Sequence, residues 1–381
     1  MASKIEGPAR KEVSFRNAQR TRLWLFDSML PLWTSVGFDP STGQFVEALD
    51  PDRRPTKGPR RTLVQARQIL VCCIAGRLGW PGPWADRAAA ASDALVRHGR
   101  RDGGDWIYSF DIAGRAFDVR SDLYTQAFVI LGLATAGQTL GRDDLVAEAV
   151  KTRRRLASAW RDPRGGYREG EIAPHSGRQN PHMHLLEAFL ALHAVTGKDE
   201  DLEAAVAIAV LMERKLVAGG DRVPEAFDGD WRPLQEEGAA PGHQFEWAWL
   251  LDRLRRAGGG ERSGLAQALA SFGERHGVDA DGFAVDAIRL DGAPLAQSAR
   301  LWPQAERLKT ALAGLGPAPD RAAAQASRAL AAYLDAPVSG AWLDQRRADG
   351  AFEFGPSPAS SAYHIVGALE ALIAVDRLLL P

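Results

Sequence analysis

The chain has 381 residues, enough for one large domain or two ordinary ones, and its hydrophobic fraction of 45% is ample for a sizeable core. Its 47 basic and 48 acidic residues nearly cancel, so the net charge of −1 gives no reason to expect nucleic acid or an anionic membrane as a partner. No apolar run approaches the ~20 residues that a membrane span requires.

The N-terminal segment and the cysteines bear on the compartment. Residues 1–20 are charged and contain no apolar segment typical of a signal peptide. Cys72 and Cys73 are adjacent within an apolar helical run, and no second cysteine pair exists to complete a metal site. We therefore interpret both as reduced core residues and expect a cytoplasmic protein.

Twelve amphipathic segments follow one another along the chain, with apolar residues at the i, i+3, i+4, i+7 spacing of a helix. They are predicted at 12–36, 61–79, 83–99, 122–140, 143–160, 181–197, 199–218, 242–257, 262–276, 300–315, 319–335 and 361–378. Some connections are short, such as TGKDE. Others, such as DWIYSFDIAGRAFDV, are long, with alternating residues that predict short hairpins.

A polar or aromatic residue near the start of every second helix marks a repeat of about sixty residues. The intervals are 57, 60, 59, 59 and 62 residues between Arg67, Tyr124, His184, His243, Trp302 and His364. Six helix pairs with their long loops at one end favour a closed toroid over an open solenoid. We predict an all-α fold, an (α/α)6 barrel of six inner and six outer helices, with short β-hairpin loops at one mouth. No linker interrupts the repeat, so we expect a single domain over residues 1–381.

The inner helices should present their first turns to that mouth. In RQNPHMHLLEAFLAL, Asn180 is expected to cap a helix that begins at Pro181, with His184 one turn further on the same face. His182 points about 100° away from His184, either into the site or into packing. His98, His175, His193 and His276 lie at predicted helix ends or in loops, where we expect solvated side chains.

Two further segments repeat this layout. In PGHQFEWAWLL, His243 and Glu246 are three residues apart, so the carboxylate can orient the imidazole and hold a proton with it. In SSAYHIVGALEAL, Ser360 or Ser361 is expected to cap a helix with His364 in its first turns. The positive end of each helix dipole should lower the pKa of these histidines and favour neutral imidazoles that act as bases.

Other side chains of the inner helices are candidates for substrate contacts. Trp302 either stacks on a sugar ring or is a core aromatic, and Glu306, one turn below it, could bond a hydroxyl. Arg67, within an apolar face, requires either a structural partner or an oxygen-rich ligand. Tyr124 occupies the corresponding part of the second inner helix. Three further polar or aromatic residues precede His243 in EAFDGDWRPL: Glu225, Asp228 and Trp231.

The basic run and the histidines raise the question of a phosphate site and a metal site. The basic run DRRPTKGPRR either contacts a phosphate or is solvated, and we favour solvation for its cations Arg53, Arg54, Lys57, Arg60 and Arg61. The histidines are numerous enough to bind a metal, but no HExxH or paired-cysteine pattern is present. A shared cavity wall explains their spacing, so we predict no metal and no cofactor.

Four motifs in order, NPHMHLLEA, PGHQFEWAWLL, RLWPQAERLK and AYHIVGALEAL, resemble those of the N-acylglucosamine 2-epimerase superfamily, from Arg67 to His364. That group includes mannose isomerases, sulfoquinovose-metabolism aldose–ketose isomerases and cellobiose 2-epimerases. The resemblance implies an (α/α)6 barrel, no metal, and histidine acid/base chemistry at C1 and C2 of a sugar.

Position by position, the resemblance implies that His243 and His364 are the two principal acid/base residues and that Glu246 is the carboxylate beside the first. It implies sugar contacts from the remaining matched positions, which are Arg67, Asn180 and His184, with Tyr124 and Trp302 in the cavity wall. Some relatives carry a tryptophan one turn before the arginine, where this chain has Leu63, so the sugar contacts on that wall differ.

The chemistry follows from these residues. A neutral histidine removes the C2 proton of the open-chain sugar, and a cation such as Arg67 stabilises the enediolate. Returning the proton to C1 gives a ketose, whereas returning it to the opposite face of C2 gives an epimer.

We therefore predict an aldose–ketose isomerase that interconverts mannose and fructose, with a monosaccharide as its partner and a monomer or homodimer as its state. The alternatives are a 2-epimerase of the mannose, N-acylglucosamine or cellobiose type, a mannose-6-phosphate isomerase, a glycoside hydrolase and a helical-repeat scaffold. A hydrolase needs two carboxylates flanking the bond, where these helices carry histidines.

Overall fold

The computed structural model describes residues 19–172 and 177–379. The charged segment at the start of the chain, the beginning of the first predicted helix and His175 lie outside these ranges. Within them, no helix has the length and apolarity needed to cross a membrane.

Helices account for most of the described chain, and each predicted segment corresponds to one of them. A π-helical turn, Leu25–Met29, leads into α1, Leu30–Ser35. The others are α2 Thr62–Arg77, α3 Trp84–His98, α4 Leu123–Leu140, α5 Asp143–Ala159, α6 Gln179–Thr196, α7 Asp199–Leu211, α8 Pro241–Arg256, α9 Ser263–His276, α10 Leu301–Leu312, α11 Pro319–Leu334 and α12 Ala359–Leu379. A second π-helical turn, Met212–Leu216, extends α7.

The even-numbered helices form a closed inner ring. Each packs against the next one along the chain, and α12 packs back against α2. Helices α3, α5, α7, α9 and α11 pack outside their inner partners. Inner helices such as α2 are buried on nearly every side, whereas outer helices such as α5 bury one stripe. The predicted (α/α)6 barrel is therefore confirmed.

Short antiparallel strands link the repeats around one mouth. The residues ahead of an inner helix pair with the loop ahead of the next inner helix. The pairs are β4 Arg60–Arg61 with β5 Ser109–Phe110, β7 Gly177–Arg178 with β8 Ala226–Phe227, β11 Ala299–Arg300 with β12 Gln345–Arg346, and β13 Ser357–Pro358 with β3 Ala48–Leu49. The residues ahead of α4 and α8 make the corresponding connection through single β-bridges, Asp122 to Gly170 and Ala239 to Ile288.

Local hairpins complete the loops. They are β1 Phe38–Asp39 with β2 Gln44–Phe45, β5 with β6 Ala116–Asp118, and β9 Ala287–Ile288 with β10 Pro294–Ala296. The predicted hairpin loops are thus present, and the pairings between repeats add a ring of connections around the ends where the inner helices begin.

A glutamine clamp fixes a loop to each of four inner helices. The fourth residue of four inner helices is a buried glutamine. Its side-chain amide donates to the C=O and accepts from the N–H of a single residue in the preceding loop. Gln126, for example, forms two bonds of 3.0 Å with the N–H and C=O of Trp106. The other clamps are Gln65 to Phe45, Gln244 to Val223 and Gln304 to Ala284.

His182 takes the clamp position in α6. Its Nε2 accepts the N–H of Tyr167 at 3.0 Å, and its Nδ1 lies 3.0 Å from the carbonyl oxygen of Arg178. The ring is fully buried and packs edge-on against Trp231. Of the two roles considered for His182, the structure assigns packing.

The clamp predicts a large stability effect. Gln126→Met leaves the buried N–H and C=O of Trp106 without partners, so the free energy of unfolding should fall by ~2–5 kcal/mol. Gln138→Met on the exposed face of the same helix is the matched control and should change it by less than ~0.5 kcal/mol. Urea denaturation measures both, and equal effects of the two substitutions would contradict the clamp.

Candidate active site

A cavity of about 230 Å³ lies at the mouth of the barrel, where the inner helices begin. Eight of the nine predicted site residues line it; Glu306 does not. The lining also includes four residues that were not predicted to contact substrate. The lining residues are Arg67, Tyr124, Asn180, His184, His243, Glu246, Arg300, Trp302, Asp344, Ser360, Ser361 and His364.

The lining forms two levels. The second and third residues of the inner helices form the level nearer the mouth, with Tyr124, Trp302 and His243 among them. Four of the six sixth residues form the floor, and they are Arg67, His184, Glu246 and His364. The predicted equivalence of the three histidines is therefore wrong: His243 lies three residues, or about 4.5 Å along a helix, nearer the mouth.

The predicted side-chain caps are also wrong. Helix α6 begins at Gln179, so Asn180 is its second residue and no side chain caps it. The hydroxyl of Ser361 donates to Asp344 at 2.6 Å instead of capping α12. Strands β7 and β13 run directly into these helices and hold the chain extended at that point. As a result Asn180 Oδ1 is buried with no hydrogen-bond partner among the described residues and is available to a ligand.

Each cavity histidine has a carboxylate at its Nδ1. The distances are 3.2 Å from His184 to Glu187, 2.8 Å from His243 to Glu225 and 2.7 Å from His364 to Glu306. Ionised carboxylates accept hydrogen bonds, so in His184 and His364 Nδ1 carries the proton and Nε2 retains the lone pair. Nδ1 of His243 also lies 2.8 Å from the amide nitrogen of Gln179. These contacts hold all three rings in place.

The carboxylate that holds His243 was predicted to be Glu246, and that prediction is wrong. Glu246 lies one turn deeper on α8, on the floor, whereas Nδ1 of His243 faces the loop before the helix. There it meets Glu225, which also accepts the N–H of Ala240 at 3.0 Å. Burial acts to raise the pKa of Glu225, but its contact with His243 lowers it overall. The sequence named Glu225 among the loop residues ahead of His243 but did not predict this contact.

The floor histidines are neutral bases. Burial lowers the pKa of His184 and of His364 to about 4, even though Glu187 and Glu306 act in the opposite direction. The sequence predicted the direction of this shift from the helix dipole. The larger cause is burial, which penalises the charged imidazolium.

A layer of charged residues lies beneath the floor. Glu306 is fully buried and turned away from the cavity; one oxygen meets His364 and the other lies 2.6 Å from Lys309 Nζ. Lys309 in turn lies 3.8 Å from the ring centre of Trp249. The predicted bond from Glu306 to a sugar hydroxyl is therefore replaced by a positioning role behind His364. The three-residue spacing of Glu306 and Lys309 was the available sequence signal.

Arg67 has both of the roles considered for it, because it is paired structurally and lines the cavity. Its Nη1 donates to the carbonyl of Ser360 at 3.0 Å, and its Nη2 donates to the hydroxyl of Tyr124 at 2.7 Å. The guanidinium lies over the rings of Phe128 and Tyr363, at 4.1 and 5.1 Å. Its partners are neutral oxygens and aromatic rings, and no acid among the described residues forms an ion pair with it, which suits a developing oxyanion.

Trp302 lies between the two predicted acid/base residues. Its ring centre is 4.7 Å from that of His243 and 5.6 Å from that of His364. Because α10 separates α8 from α12 in the ring, Trp302 forms the wall between the two imidazoles. A sugar placed against this wall has a histidine on either side of it.

The remaining candidates lie elsewhere. Arg60 pairs with Asp39 at 2.9 Å and Arg61 with Glu47, while Arg53, Arg54 and Lys57 are exposed. None of these five lines the cavity. The side chains of His98 and His276 are exposed at the ends of α3 and α9, whereas His193 is partly buried with its Nδ1 3.0 Å from Lys198 O. Asp228 bonds within its own loop.

Two clusters on the floor have the spacing of metal ligands. They are His184, Glu187 and Glu246, and Glu246, Glu306 and His364, with the potential ligand atoms of each cluster within 4.8 Å of one another. However, Lys309 already places a positive charge beside Glu306, and the two floor histidines present Nδ1 to a carboxylate. Metal-independence remains a prediction, tested below.

Solved structures define the class of barrel. The cellobiose 2-epimerase from Spirochaeta thermophila matches with a TM-score of 0.88 at 21% identity, over 98% of this chain and all of that one. A D-mannose isomerase structure matches with a TM-score of 0.84 at 20% identity, over 98% of this chain and all of that one. This chain therefore has the (α/α)6 fold of sugar epimerases and isomerases.

Sequence comparison gives the family. The N-acylglucosamine 2-epimerase (GlcNAc 2-epimerase) family profile matches residues 43–368. A mannose-6-phosphate isomerase from Rhizobium meliloti is 39% identical, over 91% of this chain and 94% of its own length. A D-mannose isomerase from Thermobifida fusca is 31% identical, over 66% and 67%. The chain belongs to the N-acylglucosamine 2-epimerase family and is an enzyme of the isomerase and epimerase class.

The buried imidazole predicts a pH-dependent stability difference. The unfolded chain binds a proton at His364 below pH ~6.5, but the folded chain does so only near pH 4, so this residue makes stability fall as pH drops through that window. His364→Gln removes the effect and should gain up to ~3 kcal/mol relative to wild type between pH 6.5 and 4.

Denaturation at several pH values measures this change. His98→Gln, at the exposed end of α3, is the matched control. A His364→Gln difference that stays constant with pH would contradict a depressed pKa.

Prolonged chelation tests the floor clusters. Lys309 balances the charge of Glu306, and the Nδ1 protons of His184 and His364 bond to carboxylates, so these clusters need no metal ion. Treatment with a chelator followed by gel filtration should therefore leave the rate of sugar interconversion unchanged. Loss of activity that a divalent ion restores would show that His184, His364 or Glu246 binds a metal.

Proposed function

We propose that the protein is an aldose–ketose isomerase that interconverts free mannose and fructose by histidine acid/base catalysis. The observation that carries the proposal is the pair His243 and His364, which face one cavity on either side of Trp302 with Nδ1 of each in contact with a carboxylate. An imidazole can remove a proton from carbon only when it is neutral, and holding the ring in position favours the transfer.

The reaction begins from the open-chain aldose. Nε2 of one histidine removes the C2 proton, which the adjacent carbonyl makes acidic, and the electrons pass to O1. The guanidinium of Arg67 and the hydroxyl of Tyr124 line the same cavity and can stabilise the enediolate charge. Delivery of the proton to C1 then gives the ketose. The relatives named D-mannose isomerase support this direction.

A 2-epimerase is the second candidate, and a specific observation favours it. His243 and His364 lie on helices separated by α10, so each could serve one face of C2. The structural neighbour named cellobiose 2-epimerase supports the same candidate.

The relative named mannose-6-phosphate isomerase raises the question of a phosphorylated substrate. The cavity charges favour the free sugar. Of the two arginines in the lining, Arg300 is paired with Asp286 at 3.1 Å, and Arg67 is enclosed by aromatic rings at the floor. Asp344 adds a carboxylate to the same lining, so a phosphate dianion would meet a like charge.

Two substitutions test the catalytic pair. His243→Ala and His364→Ala should each lower kcat/KM for mannose by at least ~100-fold while leaving helical content unchanged, because each removes an acid/base group. His193→Ala, in the last turn of α6, controls for loss of an imidazole away from the cavity. Turnover close to wild type in either variant would exclude that residue from the pair.

Product analysis tests the reaction itself. Mannose, glucose, fructose, cellobiose and mannose 6-phosphate are incubated separately and the products are resolved. We expect fructose from mannose. Glucose from mannose without fructose would establish the 2-epimerase, and a higher kcat/KM for mannose 6-phosphate would contradict the free-sugar proposal.

A further inference from the structure

Glu246 differs from the other carboxylates around the cavity. Glu187, Glu225 and Glu306 each contact a histidine, but neither oxygen of Glu246 has a hydrogen-bond partner among the described residues. Its side chain is 1% exposed, and it lines the cavity floor. Nε2 of His184 lies 3.9 Å from its Oε1.

The charges around Glu246 keep it protonated. Burial and the neighbouring Glu306 raise its pKa well above the ordinary value, and Glu187 adds to this. Lys309 and Arg67 act in the opposite direction, but Lys309 is bound to Glu306, which is the ionised member of the pair. Ionising both Glu246 and Glu306 would place two like charges side by side in a buried site, which costs free energy, so the proton lies on Glu246. The floor therefore presents a carboxylic acid, with one donor and one acceptor, to the cavity.

Isomerisation needs a proton movement that epimerisation does not. After C2–H is removed, O1 of the enediolate must gain a proton and O2 must lose one before C2 can become a carbonyl. In epimerisation both oxygens end as they began. A histidine that moves the proton from C2 to C1 cannot by itself carry out this exchange between oxygens.

We propose that Glu246 is the catalytic residue that moves a proton from O2 to O1, which makes it the determinant of ketose formation. The inference rests on the proposed isomerase function. The protonated oxygen of Glu246 donates to O1 as the C1=O π electrons become the O1–H bond, and C2–H electrons form the C1=C2 bond. Its other oxygen accepts the O2 proton as C2=O forms, and the C1=C2 electrons take the histidine proton at C1. Glu246 ends protonated, so the step is balanced without a co-reactant.

The geometry that supports this role is the pair of free oxygens on one buried group. The other lining carboxylate, Asp344, accepts a hydrogen bond from Ser361 of α12 at 2.6 Å, so one of its oxygens is already engaged. His184 presents Nδ1 to Glu187, so only its Nε2 remains. Glu246 alone among the described lining residues offers an acid oxygen and a basic oxygen that are both without partners.

The experiment separates the two proton movements. Wild type and Glu246→Gln are incubated with mannose in D2O, and two rates are measured: deuterium incorporation at C2 of recovered mannose, and formation of fructose. The amide matches the carboxyl in shape and can donate a hydrogen bond, but it cannot relay a proton. Glu237→Gln, in a short 3₁₀ turn on the surface, is the matched control.

We expect Glu246→Gln to lower fructose formation by at least ~100-fold and C2 exchange by less than ~10-fold, so the ratio of exchange to fructose rises. Parallel loss of both rates, or unchanged fructose formation, would overturn the proposal while leaving the isomerase function intact. C2 exchange by wild type without any fructose would instead overturn the proposed function, and the shuttle with it.

A second measurement on wild type needs no folded variant. As pH rises and Glu246 loses its proton, fructose formation should decline before C2 exchange does, so the same ratio should rise with pH. A ratio that stays constant over the alkaline range in which fructose formation declines would overturn the proposal.

Discussion

The chemistry of this barrel depends on the contact between a carboxylate and Nδ1 of a cavity histidine. The contact occurs three times, at His184, His243 and His364. At His184 and His364 the carboxylate is buried, and it fixes which nitrogen is the base. At the floor, burial keeps the imidazole neutral, while the carboxylate behind it holds the ring in place. These opposed effects produce a base that is oriented without being charged.

The barrel produces this arrangement because the position of a residue within its inner helix sets the depth of its side chain below the mouth. In five inner helices the fourth residue clamps a loop, in four the sixth residue forms the cavity floor, and ninth residues lie one turn deeper. Lys309 is a ninth residue, so it meets Glu306, a sixth residue turned away from the cavity, and leaves one proton for the neighbouring Glu246. Charge balance in a buried layer therefore decides which acid faces the sugar.

Much of the fold was predictable because its helices repeat every sixty residues or so, and Arg67, Tyr124, Trp302 and His364 marked that repeat. The cavity lining followed from the same marks. The level of each residue did not, because a helix start misplaced by two residues at Asn180 shifts every position after it. Helical rotation separated His182 from His184 but left two roles open for His182, and its clamp to a loop depends on contacts that the local pattern does not show.

Contacts made by loops were beyond sequence reasoning. Glu225 reaches His243 from 18 residues away, and Asp344 enters the lining from the loop ahead of α12.

The direct test of the account is ¹⁵N NMR of the imidazole nitrogens at pH 6. It predicts that His184 and His364 are neutral, with the proton on Nδ1 and the lone pair on Nε2. Imidazolium signals, or protons on Nε2, would contradict it.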